Sequence, residues 1–273
     1  MIYISLTTIP DRLRQWNLIE ENLNSLLHQK TDKEYKVIFS IPEHYEIPYD
    51  LLKFVDHNSK LSINRKIPDY GSITKIIGVL EYTDDPNDII IACDDDYVYH
   101  EDMLEYHLKK LNEYPNHVIC FKGEEGIDKR TWNENGERKF VFRRWSILWP
   151  TDKDRYLQIP YHHYSVSYKR KYFKDDFNEK LWEISNIDDL IMSYYLKKNE
   201  IWTICVKWDK ETDFRVVDRI AFPVVKKIIY SLIQKRETVY KNIPEKIREL
   251  LFNFDSAYGK ATFIYTEKND NIN

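Results

Sequence analysis

Residues 88–93, Asp-Ile-Ile-Ile-Ala-Cys, carry five apolar side chains in a row with no polar break. A short run of this kind, rich in β-branched residues, reads as a strand buried on both faces, and such a strand needs helices packed above and below it. The residues before it supply those layers. Residues 2–6 and 35–41 are further strand candidates, and 61–64 is a shorter one. Trp16, Ile19, Leu23, Leu26 and Leu27 fall on one helical face, as do Ile73, Ile76, Ile77 and Leu80, with Ser72 near the N-cap of the second helix. Strand, helix, strand, helix, strand at this spacing predicts a doubly wound α/β fold: a mostly parallel sheet joined by right-handed crossovers.

Beyond residue 93 the pattern continues. Met103, Leu104, His107, Leu108 and Leu111 predict a helix, residues 117–122 a strand, and 188–196 and 201–208 a last helix and strand. Residues 123–138 are polar and hold three glycines, which predicts a mobile loop, and 139–149 and 156–168 are aromatic and strand-like. From about residue 211, Val216, Ile220, Val224, Ile228, Leu232 and Ile233 recur at helical spacing among Lys and Arg. The organisation expected is a catalytic domain over 1–208 and a helical C-terminal extension over 209–273. That basic amphipathic helix suits packing on its own domain, a homo-oligomer contact or a peripheral membrane contact.

Composition narrows the classes. Aromatics are 15% of 273 residues, enough for a large core and too many for a disordered chain. A net charge of -4 with both signs interspersed gives no reason to expect a nucleic-acid partner. Cys93, Cys120 and Cys205 sit far apart inside apolar stretches and read as buried reduced thiols. With no basic leader and no long apolar segment, the expected location is cytoplasmic, at a membrane surface if the C-terminal helix binds there.

The chemistry concentrates at three acidic or mixed motifs. Asp94-Asp95-Asp96 follows the apolar run directly, and in an open α/β sheet the ligand crevice lies at the carboxyl ends of the strands. Three adjacent carboxylates repel unless a cation intervenes, which suits a hard divalent ion such as Mn2+ or Mg2+. Asp188-Asp189 opens the last helix, where a carboxylate serves either as a simple cap or as a general base. Asp69-Tyr-Gly-Ser-Ile-Thr-Lys75, with Arg65 just before it, resembles a strand-to-helix turn suited to an anion. Thr7, Thr8 and Arg12 follow the first strand onto the same rim. His162 and His163 stand in an aromatic stretch and read mainly as packing or surface residues, with metal ligation as the other option. Trp145, Trp149 and Trp182 read as core, or as faces for stacking on sugars.

In this order the motifs resemble the GT-A glycosyltransferases, nearest the small nucleotide-sugar enzymes of viral and bacterial glycan assembly, over about residues 1–208. The resemblance implies a GT-A fold, Rossmann-like with a mostly parallel sheet, and transfer from a nucleotide-diphosphate sugar, most often a UDP-sugar, to a glycan or glycoconjugate hydroxyl. It makes Asp94–Asp96 the DxD motif, with Asp96 and Asp94 on Mn2+ or Mg2+ and Asp95 nearer the ribose. Thr7, Thr8, Arg12, Arg65 and Asp69 would line the nucleoside pocket, with Lys75 close by. Asp189, with Asp188 as second choice, would be the base of an inverting transfer; a viral source would place the enzyme in host cytoplasm. This chain lacks the glycine-rich segment that related enzymes carry before the late acidic pair, having Tyr161–Tyr168 instead. Two other readings remain at this point: a haloacid dehalogenase-like phosphotransferase, suggested by Asp94-Asp95-Asp96-Tyr97-Val98, and a catalytically silent nucleotide-sugar-binding module.

Overall fold

The computed structural model describes residues 1–125, 154–157, 159–182 and 187–208, together with short strands at 131–132, 138–139, 141–142, 145–146, 215–216 and 264–265. In chain order the first half comprises β1 (Ile2–Thr7), α1 (Pro10–Leu13), α2 (Trp16–Leu27), β2 (Tyr35–Ser40), α3 (Tyr49–Asp56) and β3 (Leu61–Asn64). It continues through α4 (Thr74–Leu80), β4 (Ile89–Ala92), α5 (Met103–Glu113) and β5 (His117–Cys120). The second half adds β6 (Arg155–Leu157), β7 (Val166–Lys169), α6 (Glu179–Trp182), α7 (Asp188–Lys198) and β8 (Trp202–Cys205).

These eight strands form one sheet in the order β6-β8-β5-β7-β4-β1-β2-β3. The pairs β1–β2, β1–β4, β2–β3 and β5–β8 are parallel. The sheet is mixed, however, because β7 runs antiparallel between β4 and β5, and β6 runs antiparallel to β8. The crossover through α5 skips one position in the sheet, and β7 fills it from the opposite direction. Nothing in the four residues Val-Ser-Tyr-Lys encodes that direction, which is set by their long-range partners.

The continuous apolar runs are explained by the two covered faces. Val37, Phe39, Ile91 and Cys93 point to the side packed by α2, α3 and α5, while Ile38, Ile90 and Ala92 point to the side packed by α4 and α7. Ile4, Leu6, Ile38, Phe39, Ile90 and Ile91 are fully buried, each contributing about 1.5–3 kcal/mol of apolar burial. The three cysteines are free and buried, as expected.

Helix α4 packs so closely on the sheet that a Cβ on Gly78 would lie 2.1 Å from Ser40 Oγ. Ser72 does not cap this helix: it lies in a 3-10 turn, Gly71–Ile73, that leads into it. Gly71 adopts φ 69°, a conformation that only glycine takes freely. The helix α3 has no counterpart in the sequence reading; it buries only Leu51, too little for a periodic signal.

The loop expected over 123–138 begins instead with a strand, Gly123–Glu125, paired antiparallel to Ile159–Pro160. Val216, read as the first apolar position of a helix, pairs as a strand with Tyr97. Most of the 209–273 extension, including Ile220 to Ile233, lies outside the described residues. No helix among the described residues is long and apolar enough to cross a membrane.

Candidate active site

The register sets the site. Thr7 pairs with Ser40 and Ser40 with Asn64, while Ser5 pairs with Ala92. The strand ends are therefore level, and Thr8, Arg65 and Asp94 emerge along one rim of the sheet.

The turn after β4 is pinned through its backbone. Asn22, fully buried on α2, donates from Nδ2 to the Asp94 carbonyl (3.0 Å) and to the Tyr97 carbonyl (2.7 Å). Tyr99 Oη accepts from the Asp94 N–H at 2.8 Å and lies 3.1 Å from its carbonyl. Neither residue stood out in the sequence, because a polar residue on an apolar helix face and one tyrosine among 21 carry no local signal.

With the backbone fixed, the three side chains diverge. Asp94 pairs with Lys75, whereas Asp95 and Asp96 pair with the two amino groups of Arg12, the latter at 2.7 Å. Burial raises the Asp95 carboxyl pKa despite Arg12 and pushes Asp96 up to about 7, with Asp94 and Asp95 adding to the effect. Arg12 itself is raised: the carboxylates outweigh its burial. Asp96 Oδ1 is buried and has no hydrogen-bond partner among the described residues. A carboxylate with an unsatisfied buried oxygen and a costly negative charge fits a hard divalent cation, so Asp96, with Asp94 across the turn, suits Mn2+ or Mg2+.

Lys75 is the centre of the site. Its side chain is 2% exposed, and its Nζ reaches both Asp94 and Asp188, the latter at 2.7 Å. Burial alone would lower its pKa; the attraction of Asp188 and Asp94 outweighs this and raises it. Burial would likewise raise Asp188, but Lys75 and His162 hold it below the usual carboxylate range. The lysine in the sequence motif thus neutralises two acidic motifs that lie 94 residues apart in number, as Asp94 and Asp188. Ser72 Oγ accepts from the Asp188 N–H at 3.1 Å, tying the start of α7 to the 3-10 turn.

Asp189 faces His162. Its Oδ1 accepts from the His162 backbone N–H at 3.1 Å and lies 2.6 Å from Nδ1. His162 Nε2 is 2.7 Å from Tyr168 Oη, so the Nδ1–H tautomer, with Tyr168 donating to Nε2, satisfies all three groups. Burial and the neighbouring Asp188 raise the Asp189 carboxyl pKa. His162, 1% exposed, is therefore buried against the polar groups of Asp189 and Tyr168. Its ring, Asp188 and Asp189 also form a group whose ligand atoms lie within 4.8 Å of one another. A metal there would have to displace the His162–Asp189 bond and would sit beside the Lys75 ammonium, while one on Asp96 and Asp94 would lie beside Arg12 and the same Lys75. His163 is outside the described side chains.

The remaining expected residues divide. Arg65 donates to the Glu43 and Tyr45 carbonyls (2.5 and 2.8 Å), and its Nη1 is buried without a hydrogen-bond partner among the described residues. Asp69 accepts from Tyr45 Oη at 2.7 Å and from the Gly71 N–H at 2.8 Å. Beside them is a cleft of about 550 Å3 lined by Glu43, His44, Lys66, Ile67, Pro68 and Asp69, within the size range of small-molecule sites. Thr8 supports Asp95. Thr7 instead donates to the Ser40 carbonyl at 2.7 Å, a structural bond between strands. Trp182 packs on Tyr70 and Phe177, at centroid distances of 4.7 and 5.8 Å, as part of the core cluster. Trp145 and Trp149 lie outside the described side chains.

No family model and no curated protein matches the chain. Solved structures do. The mannosyltransferase PcManGT from Pyrobaculum calidifontis, in complex with GDP-mannose and Mn2+, matches with a TM-score of 0.50 and 12% identity, over 92% of this chain and 67% of that one. TarS from S. aureus, as a 1–349 fragment in complex with UDP, matches with a TM-score of 0.47 and 15% identity over 74% of this chain. The chain spans 57% of the length of that TarS fragment. The sheet order, the acidic turn after β4 and the likeness to PcManGT agree: this chain has the GT-A fold of nucleotide-sugar glycosyltransferases.

Proposed function

We propose that this chain is a metal-dependent glycosyltransferase, moving a sugar from a nucleoside diphosphate sugar to an acceptor hydroxyl. The observation that carries the proposal is the buried Lys75, which joins Asp94 of the acidic turn to Asp188 of the late pair and so sets Asp189 beside the triad. The GT-A fold supports the class of reaction. PcManGT, solved with GDP-mannose and Mn2+, and TarS, solved with UDP, are the precedents for the kind of donor.

In this reading the nucleoside occupies the cleft beside Arg65 and Asp69, with the diphosphate extending toward Arg12 and the triad. Asp96 and Asp94 would hold the cation, whose positive charge would offset the charge developing on the leaving diphosphate. Asp189, its Oδ1 held by His162, presents its other oxygen to the acceptor hydroxyl and takes the proton. The acceptor oxygen bonds to the anomeric carbon as the bond from that carbon to the phosphate oxygen breaks. The electron pair leaves with the diphosphate, and attack opposite the leaving group inverts the configuration. A UDP-sugar is the first donor to test, and a glycan or glycoconjugate the first acceptor.

The phosphotransferase reading requires Asp94 to follow the first strand of its domain and the late acidic pair to end a strand. Asp94 follows β4, and Asp188-Asp189 opens α7. The base assignment is tested by Asp189→Asn. Transfer should fall by on the order of 100-fold or more while donor affinity stays within about twofold, the pattern of a group that acts only in the transition state. Unchanged transfer would remove Asp189 from the mechanism.

A further inference from the structure

Between the 3-10 turn His162–Tyr164 and strand β7 lies Ser165, fully buried, with φ 72° and ψ 140°. That backbone region is used almost only by glycine, because a Cβ there meets its own chain. The serine hydroxyl has a dedicated partner. Ser165 Oγ lies 2.7 Å from Nε2 of His107 on α5, and His107 Nδ1 lies 2.9 Å from Ser167 Oγ. The two serines are two residues apart, and one imidazole spans them. His107 is fully buried with its ring 4.3 Å from that of Phe121, and burial lowers its pKa to about 3. It is therefore neutral, donating from one nitrogen and accepting at the other.

This buried Ser-His-Ser contact touches none of the groups assigned a role in transfer, yet it stands at the base of the turn that carries one of them. The turn is closed by the Ser165 N–H to the His162 carbonyl at 2.9 Å, and its start is held by the Tyr161 N–H to the Lys122 carbonyl at 2.9 Å. His162 then presents its backbone N–H and its ring to the same oxygen of Asp189. We propose that Ser165, clamped by His107, is a positioning residue for Asp189, acting through the His162 turn. The proposal rests on reading Asp189 as the base. Glycine would adopt this backbone without strain, so a serine here gains only its hydroxyl, and that hydroxyl goes to His107. The contact fixes where the turn ends and β7 begins, and with it the height at which His162 meets the carboxylate.

The test separates the hydroxyl from the backbone. Ser165→Gly keeps the positive φ and removes the hydrogen bond, so it should fold and melt close to wild type, while Ser165→Ala keeps the strain and melts lower. The decisive readout is the proton resonance of His162 Nδ1–H, assigned by its loss in His162→Gln and its shift in Asp189→Asn. In Ser165→Gly this resonance should broaden or move upfield. With the nucleotide sugar that wild type turns over, kcat should fall roughly 10- to 100-fold, the scale of a small misplacement, with the donor KM unchanged. A wild-type resonance in Ser165→Gly overturns the proposal whatever the rate, and so does a wild-type rate with the resonance lost. If Asp189→Asn transfers normally, the base reading fails by itself, and the resonance still decides whether Ser165 positions His162.

Discussion

Replacing Lys75 by Met removes the cation set between Asp94 and Asp188 while keeping most of the length of an unbranched side chain. Breaking a buried ion pair from one side costs about 3–5 kcal/mol, since the partner charge is left without compensation. A total stability of about 5–15 kcal/mol makes that about a fifth or more of the whole. At a urea slope of about 2–3 kcal/mol/M, the unfolding midpoint should fall by roughly 1–2.5 M at neutral pH. The pH dependence is equally specific. In wild type the depressed Asp188 pKa contributes stability that is present above about pH 4 and lost only in stronger acid. The raised Lys75 pKa contributes stability present below about pH 10.5 and lost only as pH rises through the higher folded value. Between them the contribution is flat. In Lys75→Met, burial raises Asp188, so the deficit should be largest near pH 7–8 and shrink as the carboxyl takes a proton toward pH 4. Adding Asp188→Asn should recover part of the loss. A deficit below about 1 kcal/mol, or one that does not change with pH, would refute the view that Lys75 is the charge holding the two acidic motifs together.

Gly78→Ala should lower the thermal midpoint by several degrees, because its Cβ would meet Ser40 Oγ at 2.1 Å and overpacking costs about 1–3 kcal/mol. A midpoint within about one degree of wild type would mean that α4 does not press on β2 as described. The Asp96 carboxyl, pushed up to about 7, contributes stability while protonated; this is present below its unfolded value of about 3.9 and lost as pH rises to 7. Proton and metal therefore compete for it. Mn2+ affinity measured by calorimetry should climb between pH 5.5 and 8 and lose most of that slope in Asp96→Asn; a flat wild-type profile would take Asp96 out of the metal site.

The layered fold was legible because its main determinant is local. Ile89–Ala92 is apolar on both faces, and only a covered sheet accepts such a strand. The position of Asp94–Asp96 at the rim of the sheet was legible for the same reason, since the end of that strand is where α/β folds open to ligand. Lys75 reads in the sequence as an anion-binding residue beside a turn, and only the packing of α7 against the Gly71–Ile73 turn brings Asp188 onto its ammonium. His162 was weighed as packing because the sequence gives no clue that Asp189 lies opposite, 27 residues later. The direction of β7 and the backbone of Ser165 were hidden for a related reason. Both depend on contacts with β4, β5 and α5, which lie 46 to 80 residues upstream in the chain.

The most direct measurement is a calorimetric titration of the wild-type chain with UDP- and GDP-sugars, with and without Mn2+, repeated on Asp96→Asn. A metal-dependent donor site gives saturable binding of one nucleotide sugar that needs Mn2+ and weakens at least about tenfold in the variant, a loss of about 1.4 kcal/mol. Absence of binding by every nucleotide sugar, or binding indifferent to both Mn2+ and Asp96, would contradict the assignment of this GT-A fold to metal-dependent sugar transfer.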